Sequence, residues 1–431
     1  MSVTAEYTVP GLHVLDHEVE VPLDWTGEDP GTITVFAREV VSPSRRHEPL
    51  PLLLFLQGGP GGESPRPVDA SGWLAPLLER FRVVLLDQRG TGRSTPMDAA
   101  RISRFADGDE AGRHLSHFRA DSIVRDAEHL RLHEFGGRRW STLGQSYGGW
   151  ITMTYLSIAP EALTACLLTG GLGSLRPSAA EVYRRTFPKA LQKNDAYDRR
   201  YPDDAARVAR IADLLTEQDV RLPDGDRLTV RRLQFLGNLL GTQHGADHLH
   251  HLLDEALEGD RFTDGFLAEV QAQTSFAGNP LWAVLQESLY GVPGTGATAW
   301  AAQAERDRRP EFAEDARPLR FTGEAMFPWM FEEVRLLRPF AAAAEALARK
   351  EHWSALYDLD RLAANRVPVM AAVYHDDLYV AVDLSLETAA HVGGVRTWIT
   401  DEWEHDALRV SGEEVVRHLL RMLDDAGGPL R

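Results

Sequence analysis

Cysteine is the scarcest residue: Cys166 is alone among 431 residues. A single cysteine closes no internal disulfide, so the fold does not rest on an oxidising compartment. Cys166 lies in the apolar run Ala165-Cys166-Leu167-Leu168, a setting for a small core residue and not for a reactive thiol. No stretch of about 18 apolar residues occurs, which excludes a membrane-spanning helix. Met1 to Pro10 has no basic start followed by an apolar segment, so no signal peptide is read there and a cytoplasmic location is expected. Positive charge is also in deficit. The 46 basic residues face 64 acidic ones, for a formal charge of -18. Such a surface repels phosphate backbones and anionic lipid, so neither nucleic acid nor membrane is an expected partner. There is no internal repeat and no low-complexity segment.

What is present alternates between short apolar runs and amphipathic stretches. Leu50 to Leu56, Phe81 to Leu86, Trp140 to Leu143 and Leu163 to Thr169 are apolar and punctuated by Gly, Pro or Asp. Runs of that length suit strands buried on both faces of a parallel sheet. Asp121 to Phe135 carries an amphipathic helical pattern. From the N-terminus to about Gly173 the chain reads as strand alternating with helix. The same style returns after about Leu359, with strands at Val367–Tyr374 and Val395–Thr400 and a closing helix at Glu413–Leu423. The acidic, glycine-bearing tail after Leu423 reads as frayed. The middle has few strand signals, and Leu233–Leu240 and His248–Leu257 are helix candidates. The expected architecture is α/β, a mostly parallel sheet flanked by helices with an inserted helical cap. Residues 1–173 and 354–431 form the core, and 174–353 the cap.

Three glycine-rich motifs follow three of the strands. Gly144-Gln145-Ser146-Tyr147-Gly148-Gly149 comes directly after Trp140 to Leu143 and before a helix from Gly149 through Ile158. This is the G-x-S-x-G pattern, which places a serine on a strained strand-to-helix turn, and it points to an α/β-hydrolase with Ser146 as nucleophile. The following helix aims its N-terminus, with free N–H groups, at the site. The competing reading, a chance glycine-rich turn, does not account for the strand before and the helix after. Gln57-Gly58-Gly59-Pro60-Gly61-Gly62 follows Leu52 to Leu56. It supplies a second oxyanion donor, the N–H of Gly59, beside that of Tyr147. Asp87 to Ser94 lacks the Lys-Ser/Thr of a phosphate loop and does not match G-x-G-x-x-G. It reads as a structural turn, with Arg89 or Arg93 in a local ion pair.

A serine nucleophile needs a base and a residue that orients the base, and in this fold they follow in the order Ser, Asp or Glu, His. His375-Asp376-Asp377 follows one late strand, and Asp401-Glu402-Trp403-Glu404-His405 follows the next. Of the 16 histidines, His405 alone follows a late strand in the right order. Asp377 is expected to orient it, with Asp376 as the competing choice. His244, His248, His250 and His251 are read as surface residues; no carboxylate pattern completes a metal site with them, and no metal is expected.

Together the three motifs resemble the proline iminopeptidase family, serine peptidases of the α/β-hydrolase fold. The family's H-G-G-P-G stands here as Gln57 to Gly61, its D-Q-R-G-x-G-x-S as Asp87 to Ser94, and its G-x-S-x-G-G as Gly144 to Gly149. Gln57 in place of histidine is the departure. The resemblance implies release of N-terminal proline from small peptides with a free N-terminus, and no cofactor. Such an enzyme must hold a charged amine at a fixed distance from the nucleophile, a task for cap carboxylates. Glu287 and Glu324 are the candidates. Trp282, Tyr290, Phe327 and Trp329 are candidate walls for a proline ring, against the plainer reading that aromatic-rich helices form core. An esterase or lactone hydrolase with the same triad is the alternative activity. A non-catalytic binding protein on a hydrolase fold is the other.

Overall fold

The segment Leu52–Leu56 is apolar at every position because both of its faces are covered. In the computed structural model, which describes residues 3–430, it is the fourth strand of a nine-stranded sheet. The strands of the chain are β1 (Val3–Val9), β2 (Leu12–Pro22), β3 (Thr32–Val41), β4 (Leu52–Leu56), β5 (Arg82–Leu86), β6 (Trp140–Gln145) and β7 (Leu163–Thr169). They continue with the short hairpin β8 (Leu257–Glu258) and β9 (Arg261–Phe262), then β10 (Val369–Tyr374) and β11 (Val395–Thr400). The order across the large sheet is β1-β2-β3-β5-β4-β6-β7-β10-β11. From β5 to β11 every pairing is parallel, and β1, β2 and β3 are added antiparallel at one edge.

Alternation of side chains along β4 separates two cores. Leu52, Leu54 and Leu56 point into one, which they share with the helix Tyr147–Ile158 and with cap residues such as Phe187, Phe235 and Met326. Leu53 and Phe55 point into the other, against the helices Leu74–Leu78 and Gly412–Asp425. The last helix buries Val415, Val416, Leu419, Leu420 and Leu423 on one face. Each such side chain contributes about 1.5–3 kcal/mol by leaving water. The first core runs without a break from the sheet into the cap, so the cap is packed on the strands and not merely tethered to them.

The structure departs from the sequence reading at several places. Among the described residues, 3–41 hold three consecutive antiparallel strands and no strand–helix alternation. Their apolar pattern is broken by Asp16, His17, Arg38 and Glu39, all buried. Each is paired: Arg38 Nε donates to Asp16 Oδ1 at 3.2 Å, and His17 Nε2 lies 2.9 Å from Glu39 Oε2. The expected helix at Leu233–Leu240 is an α-turn, Val230–Gln234, followed by a 3-10 segment, Phe235–Gly241. The Gln234 carbonyl there accepts the Thr322 N–H at 2.9 Å, which draws it out of the helical ladder. The helix expected at His248–Leu257 runs instead over Gly245–Asp254, and Leu257 begins β8. The tail is anchored: Asp424 receives both Arg80 guanidinium nitrogens at 2.8 Å, and the Leu430 N–H donates to Thr164 O at 2.9 Å.

The Asp87–Ser94 turn is structural. Arg89 is fully buried and donates to both oxygens of Asp126, at 2.7 and 2.6 Å. It also donates to the carbonyls of Leu23 and His117, at 2.6 and 2.8 Å. A buried guanidinium with all these acceptors is satisfied and fixes three segments at once. Arg93 reaches back to Asp16 and Glu18 at the antiparallel edge.

Candidate active site

Strand β6 ends at Gln145, and the helix Tyr147–Ile158 begins after a single intervening residue. Ser146 between them has φ 81° and ψ -115°, a conformation costly for a residue with a Cβ and held only where the surroundings demand it. They do. The Ser146 N–H donates to Thr169 O at 3.2 Å, and the Ser146 carbonyl accepts the Gly149 N–H at 2.8 Å. A side chain at Gly148 would run into the Leu56 carbonyl, so the turn closes this tightly only with glycine there. Ser146 Oγ lies 2.8 Å from His405 Nε2, and His405 Nδ1 lies 2.7 Å from Asp377 Oδ2. The second Asp377 oxygen accepts the N–H groups of Tyr379 and Val380, at 2.8 and 3.0 Å. Burial works against a charged imidazole at His405, but the Asp377 carboxylate, with Glu324 and Asp406, outweighs it and His405 titrates above its ordinary value.

Asp376 is turned away. It is exposed and pairs with Lys189 at 3.3 Å and with His375 Nδ1 at 3.1 Å. The cap helix Ala179–Arg200 supplies that lysine and also Lys193, which pairs with Glu404 beside His405. One face of this helix is thereby fastened to both loops that carry the partners of Ser146.

The loop after β4 packs against the serine. A Cβ on Gly58 would stand 2.9 Å from Ser146 Cβ. The Gly58 N–H is taken by Gln57 Oε1 at 3.0 Å, and the Gln57 carbonyl accepts from Gln88 Nε2 at 2.7 Å. Gln57 thus anchors the loop through its own amide. Asn279, which the sequence reading gave no role, fixes the loop from the cap side. Its Nδ2 donates to Pro60 O at 3.0 Å and its Oδ1 accepts the Trp282 N–H at 3.0 Å. The helix Pro280–Leu285 is therefore capped by the residue that grips the loop. Asn before Pro at a helix start is a legible capping signal; its reach to Pro60 is not.

Of the cap candidates, Glu324 comes nearest the triad. It accepts the Trp282 indole N–H at 3.2 Å and the Gln286 side chain. Burial pushes its carboxyl up to about 7, with His405 pulling it down and Asp377 pushing it up. Glu287 is the more deeply buried of the two, and burial pushes it up to about 7. Its two oxygens already hold the N–H groups of Ala301 and Ala302, at 3.1 and 2.9 Å. The Tyr290 hydroxyl, raised first by burial, also feels both glutamates. Phe327 and Trp329 go elsewhere. They stack on each other at 6.0 Å under Arg306 and Arg231, and Trp329 lines a cleft on the cap that contains no triad residue.

Among the described residues no group of three or more His, Cys, Asp or Glu could hold a metal ion, and no helix is long and apolar enough to cross a membrane. His244, His248 and His251 are exposed. His250 differs from expectation: it is half-buried, stacked on Tyr201 at 4.0 Å and 2.9 Å from Asp204 Oδ2.

A family model described as alpha/beta hydrolase fold matches residues 51–245. A proline iminopeptidase of Aeromonas sobria is 45% identical over 99% of this chain and 100% of its own length. One of Aspergillus aculeatus is 35% identical over 94% of this chain and 92% of its own. A probable proline iminopeptidase of Streptomyces coelicolor is 32% identical over 36% of this chain and 49% of its own. The full-length likeness to the first two, on the α/β-hydrolase sheet described above, makes this chain a member of the proline iminopeptidase family.

Proposed function

We propose that the chain is a serine exopeptidase that releases N-terminal proline from small peptides with a free N-terminus, through an acyl-enzyme. The observation that carries this reading is the half-buried carboxylate of Glu324, close enough to the Ser146–His405–Asp377 series to feel His405 and Asp377. A simple esterase has no use for a desolvated carboxylate within electrostatic reach of its histidine and aspartate, whereas an enzyme that must grip an ammonium has. The full-length relatives are named for this activity.

In this reading His405 Nε2 accepts the Ser146 proton as Oγ attacks the carbonyl of the terminal residue. The N–H groups of Gly59 and Tyr147 receive the oxyanion; a donor of this kind is worth about 3–4 kcal/mol in the transition state. His405 then protonates the leaving nitrogen, and water, deprotonated by the same histidine, releases proline from the ester. Asp377 holds the imidazole with its proton on Nδ1. A prolyl ammonium carries two N–H groups. Glu324 accepts one. Gln286 offers the other acceptor: it is 2% exposed, its side chain bonds Glu324, and its Oε1 is buried without a partner among the described residues. Such an orphan acceptor is costly unless a ligand answers it. Trp282 and Tyr290 are the ring walls. Glu287 holds the backbone of the helix Ala301–Asp307 in place behind Tyr290.

Glu324→Gln is expected to lower kcat/KM for prolyl-aminomethylcoumarin by about 30-fold or more, through KM, and to leave hydrolysis of a short acyl ester within about threefold. Equal losses on both substrates would assign Glu324 to the fold alone. The pH profile follows from the same groups. Glu324 must be ionised to hold the ammonium and His405 neutral to act as base. With Glu324 near 7 and His405 above its ordinary value, kcat/KM for the prolyl substrate should fall below about pH 7 with a slope steeper than one proton. The ester should follow His405 alone, with a slope of one. Identical slopes would remove Glu324 from amine binding.

A further inference from the structure

His405, though largely buried, lines a cleft of about 610 Å³ between the loop that follows β4 and the loop that follows β11. Gln57 and Gln145, the residues that precede Gly58 and Ser146, line the same cleft. Glu324 and Trp282 of the cap, joined at 3.2 Å, are not part of this cleft. A general acid must face the nitrogen it protonates. The acyl group therefore lies toward the cap, and the departing chain toward the open cleft at His405.

The lining says what the cleft takes. Its floor is apolar: Phe55 and Leu408 are buried, and Trp73 is stacked on Phe55 at 4.5 Å. At its rim Val68 is 76% exposed, an aliphatic side chain left in water with nothing packed over it. The cleft's charged side chains are already answered: Arg66 pairs with Glu63 at 3.1 Å, Arg409 with Asp406 at 2.9 Å, and Asp69 accepts the N–H and hydroxyl of Ser71. Charge therefore does not select the occupant, and apolar contact does. The volume is that of a pocket for a small organic ligand, about 300–1,000 Å³, enough for a large side chain.

We propose that this cleft is the subsite for the leaving peptide, and that it selects an apolar side chain on the residue directly after the scissile bond. The proposal rests on the exopeptidase reading above. Gln57, where the family motif has histidine, gives the subsite a neutral amide wall in this chain.

The test uses the full-length protein and three substrates with no C-terminal charge: prolinamide, Pro-Gly-amide and Pro-Leu-amide, with released proline as the readout. Prolinamide loses only ammonia and does not enter the subsite. Expected is a kcat/KM for Pro-Leu-amide about tenfold above that for Pro-Gly-amide, the usual discrimination by one apolar side chain in a pocket. Val68→Asp, at an exposed position that the fold does not need, should shrink that ratio at least about threefold, as should Trp73→Ala in protein with an unchanged melting profile. Equal rates on the two dipeptide amides, or a ratio that neither variant alters, would overturn the subsite while leaving the exopeptidase standing, provided prolinamide is cleaved. If none of the three is cleaved, the exopeptidase reading fails and takes the subsite with it.

Discussion

Ser146→Ala is expected to lower kcat on prolyl-aminomethylcoumarin by about a million-fold with little change in the melting temperature. The argument joins local structure to chemistry. The φ of 81° at Ser146 is imposed by neighbours: by the Thr169 carbonyl that takes its N–H, and by the tight passage of Gly148 past β4. Alanine keeps the same backbone and the same Cβ, so these constraints hold and the turn survives. What it loses is one hydroxyl and one hydrogen bond to His405, about 1 kcal/mol of stability. In exchange the site has no atom to attack the carbonyl and can only orient water, which leaves the residual rate of the oxyanion donors and of binding. A fluorophosphonate should label the wild-type chain at Ser146 and leave the variant unlabelled. Turnover within tenfold of wild type, in protein freed of contaminating peptidase, would remove Ser146 from the mechanism.

How much of this could be read from the sequence depends on what each contact requires. β4, β5, β7 and β10 are legible because parallel strands covered on both faces admit little but apolar residues. The serine turn is legible because close backbone approach needs glycine at fixed spacing. β2 and β3 were not legible as strands, since their buried positions include Asp16, His17, Arg38 and Glu39, whose partners come from other strands. No single segment reveals such pairing. The same limit governs the cap. That Glu324 lies near enough to feel His405 while Trp329 lies in a separate cleft depends on how short helices fold over one another, and both sit in one aromatic-rich run of the sequence. Gln286 carried no signal of any kind. A glutamine becomes informative only when its Oε1 is found buried and unanswered beside a carboxylate.

Two adjacent aspartates, indistinguishable by motif, are expected to behave in opposite ways. Asp377 is 2% exposed and uses both oxygens, one on the backbone N–H groups of Tyr379 and Val380 and one on His405 Nδ1. In Asp377→Asn the amide oxygen stays with the two backbone donors, because turning it would set an NH2 group against two N–H groups. The NH2 then faces Nδ1, which must become an acceptor. The imidazole proton moves to Nε2, and His405 can no longer take the proton of Ser146. The expected loss is about 10⁴-fold in kcat. Removal of the carboxylate also removes the largest influence that holds His405 above its ordinary value and leaves burial opposed only by the Glu324 and Asp406 carboxylates, so the acid limb of the residual ester activity should move to lower pH. Asp376, by contrast, is exposed and pairs with Lys189 and His375 in a solvated geometry, where an ion pair is worth about 0–1 kcal/mol. Asp376→Asn should leave kcat within about fivefold of wild type. A large loss at Asp376 with a small one at Asp377 would mean that the hydrogen bond between Asp377 and His405 is not the one that orients the base.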